Sequence, residues 1–445
     1  MIVEHCILNV EYYFSVSQNP PVRPAGSWQN KKIKSTVIPT SIKFKLSGIL
    51  RYLPTGDYFL SIKPNTLKIA VNTRLLLKNK LEGIGWFTFE ALKRIVQSHP
   101  EHSFYFLFDR AFDESFIFGK NVTPIVIGPQ ARHPILHYIW FEFSIPKSLK
   151  KIQPDIFVSP DAYLSLKTNF KTLLVIHDLN FEHYPENMPA LVRKYYKYFT
   201  PRFAKKATRI ATVSDFSKQD IVKQYGIKPN KIDVVYNGAN EKFKPISESE
   251  KTATKNRFTK GEDYFVFIGA LNPRKNLVNL FRAFDIYRNA SSTKAKLVVV
   301  GEKMWWTGEI KTTFENMQFK EDVVFTGRLE MEDLYRVIGS ALAMTYVSYF
   351  EGFGIPIVEA FFAETPVITS NVTSMPEIAG DAALLVDPFD PEDIAKAMKK
   401  LTFDEELRNT LIEKGGKQRQ LFSWENTAKN LWKSIEKTLN QKTAK

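Results

Sequence analysis

The sequence contains a single cysteine, Cys6, among its 445 residues. One cysteine cannot form a disulfide within the chain, and it excludes a zinc site built from several cysteines. Residues 1–30 also lack a basic segment followed by an apolar block, so we do not expect a secretory signal. These absences together predict a protein of a reducing compartment, the cytoplasm.

Long apolar runs and nucleic-acid motifs are missing as well. No run of about 18 apolar residues occurs, so no transmembrane helix is expected. The formal net charge of +15 favours an anionic partner such as nucleic acid, an acidic membrane surface or a phosphorylated substrate, although a solvated basic surface explains the charge equally well. Because none of the usual nucleic-acid-binding motifs is present, we do not expect nucleic acid to be the partner.

The distribution of apolar residues predicts two α/β domains in tandem, each doubly wound. Strand-like runs that are apolar on both faces, such as "TLLVIHD" and "KLVVVG", alternate with helical patterns, which is typical of a parallel sheet covered on both sides. We assign residues 67–248 to the first domain and residues 249–422 to the second. The polar segment 244–263 separates the two series of strands, and we interpret it as an interdomain linker.

The two ends of the chain depart from this pattern. Residues 1–66 are rich in Pro, Ser, Asn and Lys and have little periodicity. We interpret them as an extension with the composition of a disordered segment, dispensable for catalysis because it carries no motif. Within residues 423–445, "SWENTAKNLWKSIEKTL" predicts an amphipathic helix that begins after a serine cap.

Ligands of doubly wound domains bind at the carboxyl ends of the strands, so polar residues that follow strands are candidates for a site. Asn272, Arg274 and Lys275 follow the first strand of the second domain in "FIGALNPRKNL". Two cations at the start of a helix oppose the helix dipole, and a bound anion such as a diphosphate would resolve the conflict. The alternative is an ordinary solvated basic turn.

The stretch "YFEGFGIPIVEA" places two glutamates, Glu351 and Glu359, eight residues apart. We predict a strand that ends near Ser348, a glycine-rich loop, and a helix that begins at Pro356 and holds Glu359 in its first turn. Carboxylates there could accept hydrogen bonds from vicinal diols, as on ribose and hexoses. Alternatively, Glu359 only complements the helix dipole and Glu351 is a solvated loop residue, but this explains the pair less well than either residue alone.

Two weaker candidates lie in the first domain. Gly83 and Gly85 in "EGIGWFTFEAL" follow the first strand and open a helix, where glycines let backbone approach a ligand; a flexible loop is about as good an interpretation. His177 closes the strand "TLLVIHD" and could hydrogen-bond a bound hydroxyl, while Asp178 could orient it or cap the next segment. For the histidine alone, a structural role with a satisfied backbone partner is favoured.

These motifs together resemble the retaining glycosyltransferases of family 4, which have the GT-B fold. The glutamate signature "EGFGIPIVEA" is accompanied, in the expected order, by "GIGWFTFEAL", "VIHDL", "ATVSDFSKQDI", "VVYNGAN", "GALNPRKNL", "VVFTGRL" and "MPEIAGDAALLVDP". The resemblance covers roughly residues 67–440, and residues 1–66 match nothing in the family. It implies two Rossmann-like domains, with a C-terminal helix that crosses back onto the first.

The resemblance also implies a reaction. A hexose would move from a nucleotide-sugar donor, bound by the second domain, to a glycan or lipid-linked acceptor, bound by the first, with retention. In the usual account, the leaving phosphate itself takes the acceptor proton. No convincing DxD metal motif is present, which agrees with a metal-independent reaction that needs no cofactor.

Residue roles follow from the same resemblance. Glu351 would hold the hydroxyls of the donor sugar and Glu359 the ribose, while Arg274 and Lys275 would neutralise the diphosphate. Together with His177, which would lie near the donor sugar, Glu351 and the two cations are the candidate catalytic residues. The candidate donor-binding residues are Gly85, Asn272, Gly352, Phe353, Gly354 and Glu359.

The segment "LVRKYYKYFTPRFAKKA", residues 191–207, is rich in cations and aromatic residues. Counting Arg209 just beyond its end, it carries seven basic residues, a composition that suits peripheral contact with an anionic membrane, here the inner membrane face. An amphipathic helix packed on the first sheet is a slightly better interpretation. Two other functions also stay open: a sugar-nucleotide epimerase of the same architecture, and a basic non-catalytic binding protein.

Overall fold

The computed structural model describes residues 66–441 except residues 304, 305 and 307. The extension predicted over residues 1–66 lies outside this range apart from its last residue, so the predictions made for it stay predictions. The described residues form two parallel sheets, one of seven strands and one of six.

The first sheet is ordered β3-β2-β1-β4-β5-β6-β7. Its strands are β1 Lys68–Asn72, β2 Ser103–Phe108, β3 Val122–Val126, β4 Ile156–Ser159, β5 Thr172–Ile176, β6 Arg209–Thr212 and β7 Ile232–Val234. Its helices are α1 Gly83–Ser98, α2 Pro134–Ile139, α3 Ile145–Ile152, α4 Asn180–His183, α5 Ala190–Lys206 and α6 Asp215–Tyr225, with a π-helical turn, Trp140–Ser144, between α2 and α3. Strands β1, β4 and β5 form the centre, and helices cover both faces, so β4 and β5 are buried along their whole length.

The second sheet is ordered β10-β9-β8-β11-β12-β13. Its strands are β8 Tyr264–Ile268, β9 Lys296–Val300, β10 Val323–Gly327, β11 Ala343–Tyr346, β12 Val367–Ser370 and β13 Leu384–Val386. Its helices are α7 Glu248–Thr259, α8 Leu277–Asn289, α9 Gly308–Glu315, α10 Met331–Gly339, α11 Ile355–Phe362, α12 Met375–Ala379, α13 Pro391–Phe403 and α14 Glu405–Gln418. Because β8 and β11 are neighbours, the loops that follow them meet at one edge of the sheet.

The last helix, α15 Trp424–Asn440, packs on the first domain. Ser423 caps it by accepting a hydrogen bond from the Asn426 amide, as predicted. Glu425 pairs with Arg94 of α1 at 2.6 Å, and Lys437 pairs with Asp233 of β7 at 2.7 Å. The predicted fold class, two Rossmann-like domains with a crossing C-terminal helix, is therefore confirmed.

The segment 244–263, interpreted as an interdomain linker, lies between β7 of the first sheet and β8 of the second and contains helix α7. Ser247 and Glu250 form a reciprocal capping box at its start. Only Thr254 and Thr259 are buried along its length, so the helix has no apolar stripe for a periodicity argument to detect. The boundary predicted between residues 248 and 249 lies at the first turn of this helix.

Among the described residues, the structure contains no helix that is both long enough and apolar enough to cross a bilayer.

Candidate active site

Three charged side chains meet where the loops after β8 and β11 converge. Arg274 and Lys275 lie on a 3-10 turn, Pro273–Lys275, and Glu351 lies in the loop before α11. The Arg274 guanidinium is 2.5 Å from Glu351 Oε2, and Lys275 Nζ is 2.7 Å from Oε1. The structure thus brings together the two predicted cations and the first predicted glutamate in one ion-pair cluster.

Backbone and side-chain contacts hold this cluster in place. Lys275 Nζ also donates to the Tyr346 hydroxyl at 2.6 Å, and Arg274 donates to the Phe350 carbonyl at 3.0 Å. The next residue, Asn276, adopts a left-handed φ of 61° and ties the turn to the Val347 carbonyl at 3.0 Å. The cations are therefore positioned before any ligand binds, which is the arrangement that stabilises developing charge best.

Burial makes the charges of the cluster interdependent. Burial would raise the pKa of Glu351, but Arg274 and Lys275 outweigh it and hold the pKa at about 2. Burial lowers the pKa of Lys275 to about 8, against the opposing effect of Glu351. With two cations and one carboxylate, the cluster carries a net charge of +1 near neutral pH, which favours an anion at this edge of the sheet.

The glycine-rich loop contacts the first domain. A Cβ added to Gly352 would lie 2.2 Å from the His177 carbonyl oxygen, and the Gly352 carbonyl accepts a hydrogen bond from Ser214 at 2.7 Å. Gly354 has a φ of 103°, which side chains rarely adopt. Phe353 is buried. These three residues therefore shape the loop and join the two domains; contact with a donor stays a prediction for them.

Helix α11 begins at Ile355, so the prediction that it begins at Pro356 was wrong by one residue. Glu359 consequently lies in the second turn and not, as predicted, in the first. The loop before the helix is short because Gly354 turns the chain sharply enough for the helix to start at once. In the second turn, the helix dipole alone explains a carboxylate less well.

Glu359 is half-buried and has no side-chain hydrogen-bond or ion-pair partner among the described residues. Burial raises the pKa of its carboxyl group to about 7. A carboxyl group in such a place costs stability when it ionises, unless a ligand supplies hydrogen-bond donors. Asn272 is comparable, because its buried Oδ1 atom has no hydrogen-bond partner among the described residues.

His177 lies at the carboxyl end of β5, beside the glycine-rich loop. Its Nε2 atom is 2.8 Å from the Pro160 carbonyl, and burial lowers the pKa of the imidazole, so the ring is neutral. This is the satisfied backbone partner that the structural interpretation predicted. Asp178 accepts a hydrogen bond from the amide of Asn180, the first residue of α4, at 2.9 Å; the N-cap position is Leu179, which provides no side-chain hydrogen bond.

Gly85 is the third residue of α1, which begins at Gly83. A Cβ at Gly85 would lie 3.1 Å from the Leu75 carbonyl and 3.2 Å from the Leu81 side chain. Close packing therefore accounts for this glycine, and its contact with phosphates stays a prediction.

Sequence reasoning missed a polar cluster at the carboxyl edge of the first sheet. Arg74, 9% exposed, follows β1; its Nε atom is 2.6 Å from Asp161, which follows β4. The guanidinium lies 4.7 Å from the Tyr163 ring, whose hydroxyl donates to Tyr196. Asp161 adjoins Pro160, the partner of His177, so the cluster extends the site into the first domain. The signal was available, since both charged residues come just after strands, but pairing them requires the strand order.

Helix α5 is both packed and exposed. Tyr195, Thr200, Phe203 and Ala204 are buried against the first domain, which confirms the packed interpretation. The predicted seventh cation, Arg209, does not belong to this surface: it is 8% exposed and pairs with Asp233 at 2.9 Å. The reason is that Arg209 begins β6 in the sheet.

An exposed apolar groove nevertheless runs between α2 and α5. It has a volume of about 410 Å³ and is lined by Pro134, Ile135, Tyr138, Leu191, Lys194, Tyr195, Tyr198 and Phe199. Ile135 is 61% exposed and Tyr198 53%. A neighbouring depression is lined by Phe143 with Lys147, Lys150, Lys151 and Lys167. Exposed apolar side chains rimmed by lysines are unusual on a surface that contacts only water.

Comparison with known proteins identifies the family. Residues 82–243 match the family model described as Glycosyltransferase Family 4, and residues 248–418 match the model described as Glycosyl transferases group 1. The chain belongs to the group 1 glycosyltransferases of the family 4 type, and the resemblance found in the sequence is confirmed.

Individual relatives agree with this assignment. The O-antigen chain mannosyltransferase B of Escherichia coli is 25% identical over 79% of this chain and 94% of its own length. The O-antigen chain mannosyltransferase RfbU of Salmonella typhimurium is 28% identical over 51% of this chain and 60% of its own. Among solved structures, a glycosyltransferase from Rickettsia africae aligns with a TM-score of 0.66 at 17% identity, covering 85% of this chain and all of the other. Anabaena HepE in complex with UDP-glucose aligns with a TM-score of 0.66 at 15% identity, covering 83% of this chain and all of HepE.

Proposed function

We propose that this glycosyltransferase moves a hexose from a nucleotide-sugar donor to a glycan or lipid-linked acceptor, with retention and without a metal ion at the diphosphate. The observation that carries the proposal is the buried cluster of Arg274, Lys275 and Glu351, whose net charge of +1 suits a diphosphate. The names of the E. coli and Salmonella relatives make mannose the first sugar to test.

In the proposed reaction, the donor diphosphate takes the place of Glu351 as the main partner of Arg274 and Lys275. The Glu351 oxygens are then available to the hydroxyls of the donor sugar. As the bond between the anomeric carbon and the phosphate oxygen breaks, negative charge grows on the leaving diphosphate, and the two cations stabilise it. The acceptor hydroxyl attacks from the same face, and the leaving phosphate oxygen takes its proton. No step requires a cofactor.

Neighbouring side chains would bind the acceptor and the remaining parts of the donor. The carboxylate of Glu359 would accept the two ribose hydroxyls, which would provide the donors that it lacks. His177 would contact the donor sugar through the part of its ring that Pro160 does not occupy. The acceptor would lie against the Arg74–Asp161 pair, because that pair borders His177 on the first-domain side.

We further propose that the acceptor is presented at an anionic membrane surface. The apolar groove between α2 and α5, with the lysines beside it, supports this. A lipid-linked acceptor would bring its sugar to the crevice while its lipid stays in the bilayer.

The experiment that tests the function is a thermal-shift panel of nucleotide sugars, followed by product analysis. A ligand at about 100 times its dissociation constant adds roughly 2.7 kcal/mol of stability, so the correct donor should raise the Tm clearly. Transfer to a glycan acceptor with an unchanged anomeric configuration, measured by NMR in the presence of EDTA, is the expected result. An inverted product, an EDTA-sensitive reaction or an epimerised sugar nucleotide would each contradict part of the proposal. Stabilisation by none of the donors would overturn it.

A further inference from the structure

Two histidines and a glutamate lie together on the loop between α1 and β2, in the sequence "HPEH". Glu101 Oε1 is 3.5 Å from His99 Nδ1 and 3.6 Å from His102 Nε2, and the three ligand atoms lie within 4.8 Å of one another. This loop is at the amino ends of β1 and β2, opposite the edge that carries Arg74. The group is therefore separate from the sugar-transfer site.

The two imidazole rings lie next to Trp432 of α15. They are parallel within 5°, with centroids 5.8 Å apart, and both stack on the indole of Trp432, at 3.6 Å and 5.4 Å. Trp432 therefore packs against both rings, so the terminal helix α15 contacts the loop that carries these groups.

Two of the three distances between the ligand atoms fit a tetrahedral ion. A zinc ion with bonds of about 2.0–2.2 Å to nitrogen and carboxylate oxygen places neighbouring ligand atoms roughly 3.3–3.6 Å apart. The two distances to Glu101 Oε1 already have this value. Two histidines and one glutamate form a typical zinc ligand set with a fourth position open to water.

The loop is also held rigidly enough to present these groups. The Asn121 side-chain amide donates to the carbonyls of His99 and His102, at 3.1 Å and 3.2 Å. The Leu67 amide reaches His102 Nδ1 only at 3.5 Å, and this weak contact would be given up when Nε2 binds an ion and the proton moves to Nδ1.

We propose that His99, Glu101 and His102 bind a zinc-type divalent cation. Because Trp432 belongs to α15, the ion would also fix the C-terminal helix against the first domain. The site would stabilise the contact between α15 and the first domain, and it would have no part in the transfer reaction.

The test is calorimetric titration of Zn²⁺ into the EDTA-treated, dialysed full-length chain. One site with a micromolar dissociation constant is expected, together with a higher Tm in Zn²⁺. His99→Gln and Glu101→Gln should each weaken the affinity at least tenfold. Glu101→Gln keeps the stacked rings, so it separates loss of a ligand from loss of folding. His133→Gln, which removes a histidine from the N-cap of α2, is the matched control and should bind normally.

A second readout uses Trp432. Cu²⁺ or Ni²⁺ in the site should quench its fluorescence, and the quenching should be absent in Trp432→Phe and in Glu101→Gln. Every variant retains His5 and Cys6, so any metal held near the N-terminus would bind equally to all of them. The proposal is overturned if the unmodified chain binds no Zn²⁺, or if Glu101→Gln and His99→Gln bind it as tightly as His133→Gln does.

Discussion

At the scale of single residues, the charged cluster in the crevice has more positive than negative charge when no ligand is bound. Arg274 and Lys275 share one buried carboxylate, Glu351, although each cation could form an ion pair with a separate carboxylate. Glu359, eight residues later, has no such partner among the residues that the structure describes. An excess of positive charge beside an unpaired carboxyl group suits a ligand with an anionic end and a diol end, which is the chemistry of a nucleotide sugar.

The two cations should act mainly on turnover. Removing one preorganised partner of developing charge typically costs about a hundredfold to a thousandfold in rate, so Arg274→Ala should lower kcat by that factor and raise the donor KM far less. Lys275→Ala should behave likewise. The double variant should lose less than the product of the two effects, because both cations act on one diphosphate.

Steady-state kinetics with the identified donor measures these effects, and circular dichroism confirms that the variants fold. Arg282→Ala, on the exposed side of α8, is the control and should keep normal kinetics. Near-normal kcat in both single variants of the cluster would mean that the cations do not contact the leaving group.

Glu359 should make donor binding depend on pH. The pKa of about 7 means that the carboxyl group is largely protonated in the free enzyme at pH 6. Ribose hydroxyls bind the ionised form, so donor affinity should fall as the pH drops below 7, by up to about tenfold per pH unit. Glu359→Gln should bind the donor weakly at every pH, without this slope. Calorimetric titration of the donor between pH 5.5 and 8.5 measures this pH dependence of affinity, with Glu364→Gln as the control. The same slope in Glu359→Gln as in the unmodified protein would refute the assignment.

The same pKa has a consequence for stability. A carboxyl group whose folded pKa lies above its unfolded value stabilises the fold fully below the unfolded pKa, and that contribution is lost as the pH rises through the folded pKa. Without donor, the protein should therefore lose stability between pH 5 and pH 8 through Glu359. Glu359→Gln should have a higher Tm than the unmodified protein at pH 8 and an equal Tm at pH 5. A lower Tm at pH 8 would show that the carboxylate has a favourable partner.

At the scale of elements, the strands were predictable and the contacts between loops were not. The quoted runs "TLLVIHD" and "KLVVVG" are strands β5 and β9, and they were found because strands covered on both faces form short continuous apolar runs. Helix α7 was missed because its surface is polar nearly all round. The pairs Arg74–Asp161 and Gly352–His177 join positions 87 and 175 residues apart, and no local pattern specifies which strands are neighbours.

The junction at Gly352 gives a prediction for the loop that carries Glu351. Gly352→Ala places a methyl group 2.2 Å from the His177 carbonyl and 2.8 Å from the Asp178 side chain, so backbone must move. We expect a lower Tm and a loss of activity, because Glu351 moves with the loop. Gly416→Ala is the matched control, since a Cβ there meets nothing within 4 Å; inside α14 it should stabilise by about 0.5–1 kcal/mol. Thermal unfolding and kcat measure both, and an unaltered Gly352→Ala enzyme would show that the two domains do not meet as described.

At the scale of the whole molecule, the basic residues lie in two different settings, the crevice and the surface of the first domain. Near the crevice, Glu351 neutralises one of the two cations. On the first domain, Lys194 lines the apolar groove that contains exposed Ile135 and Tyr198, and four further lysines line the neighbouring depression. Charge and apolar side chains on one face favour an anionic bilayer, where each cation near the surface contributes about 1 kcal/mol. The face belongs to the first domain, which also carries the proposed acceptor site, so membrane contact and acceptor delivery would coincide.

Charge reversal at two exposed lysines of α5 tests this arrangement. Lys194→Glu with Lys197→Glu should weaken binding to vesicles that contain anionic lipid by at least tenfold at low salt, and donor affinity should not change. The same pair of reversals at Lys396 and Lys399 on α13 alters the net charge equally, with the same spacing, in the second domain; it should leave vesicle binding nearly intact. Co-sedimentation at two salt concentrations measures both, since screening should weaken the electrostatic part. If the two double variants lose binding equally, net charge alone attracts the membrane, and the groove has no special role; if the unmodified protein does not bind vesicles, the acceptor must reach the crevice from solution.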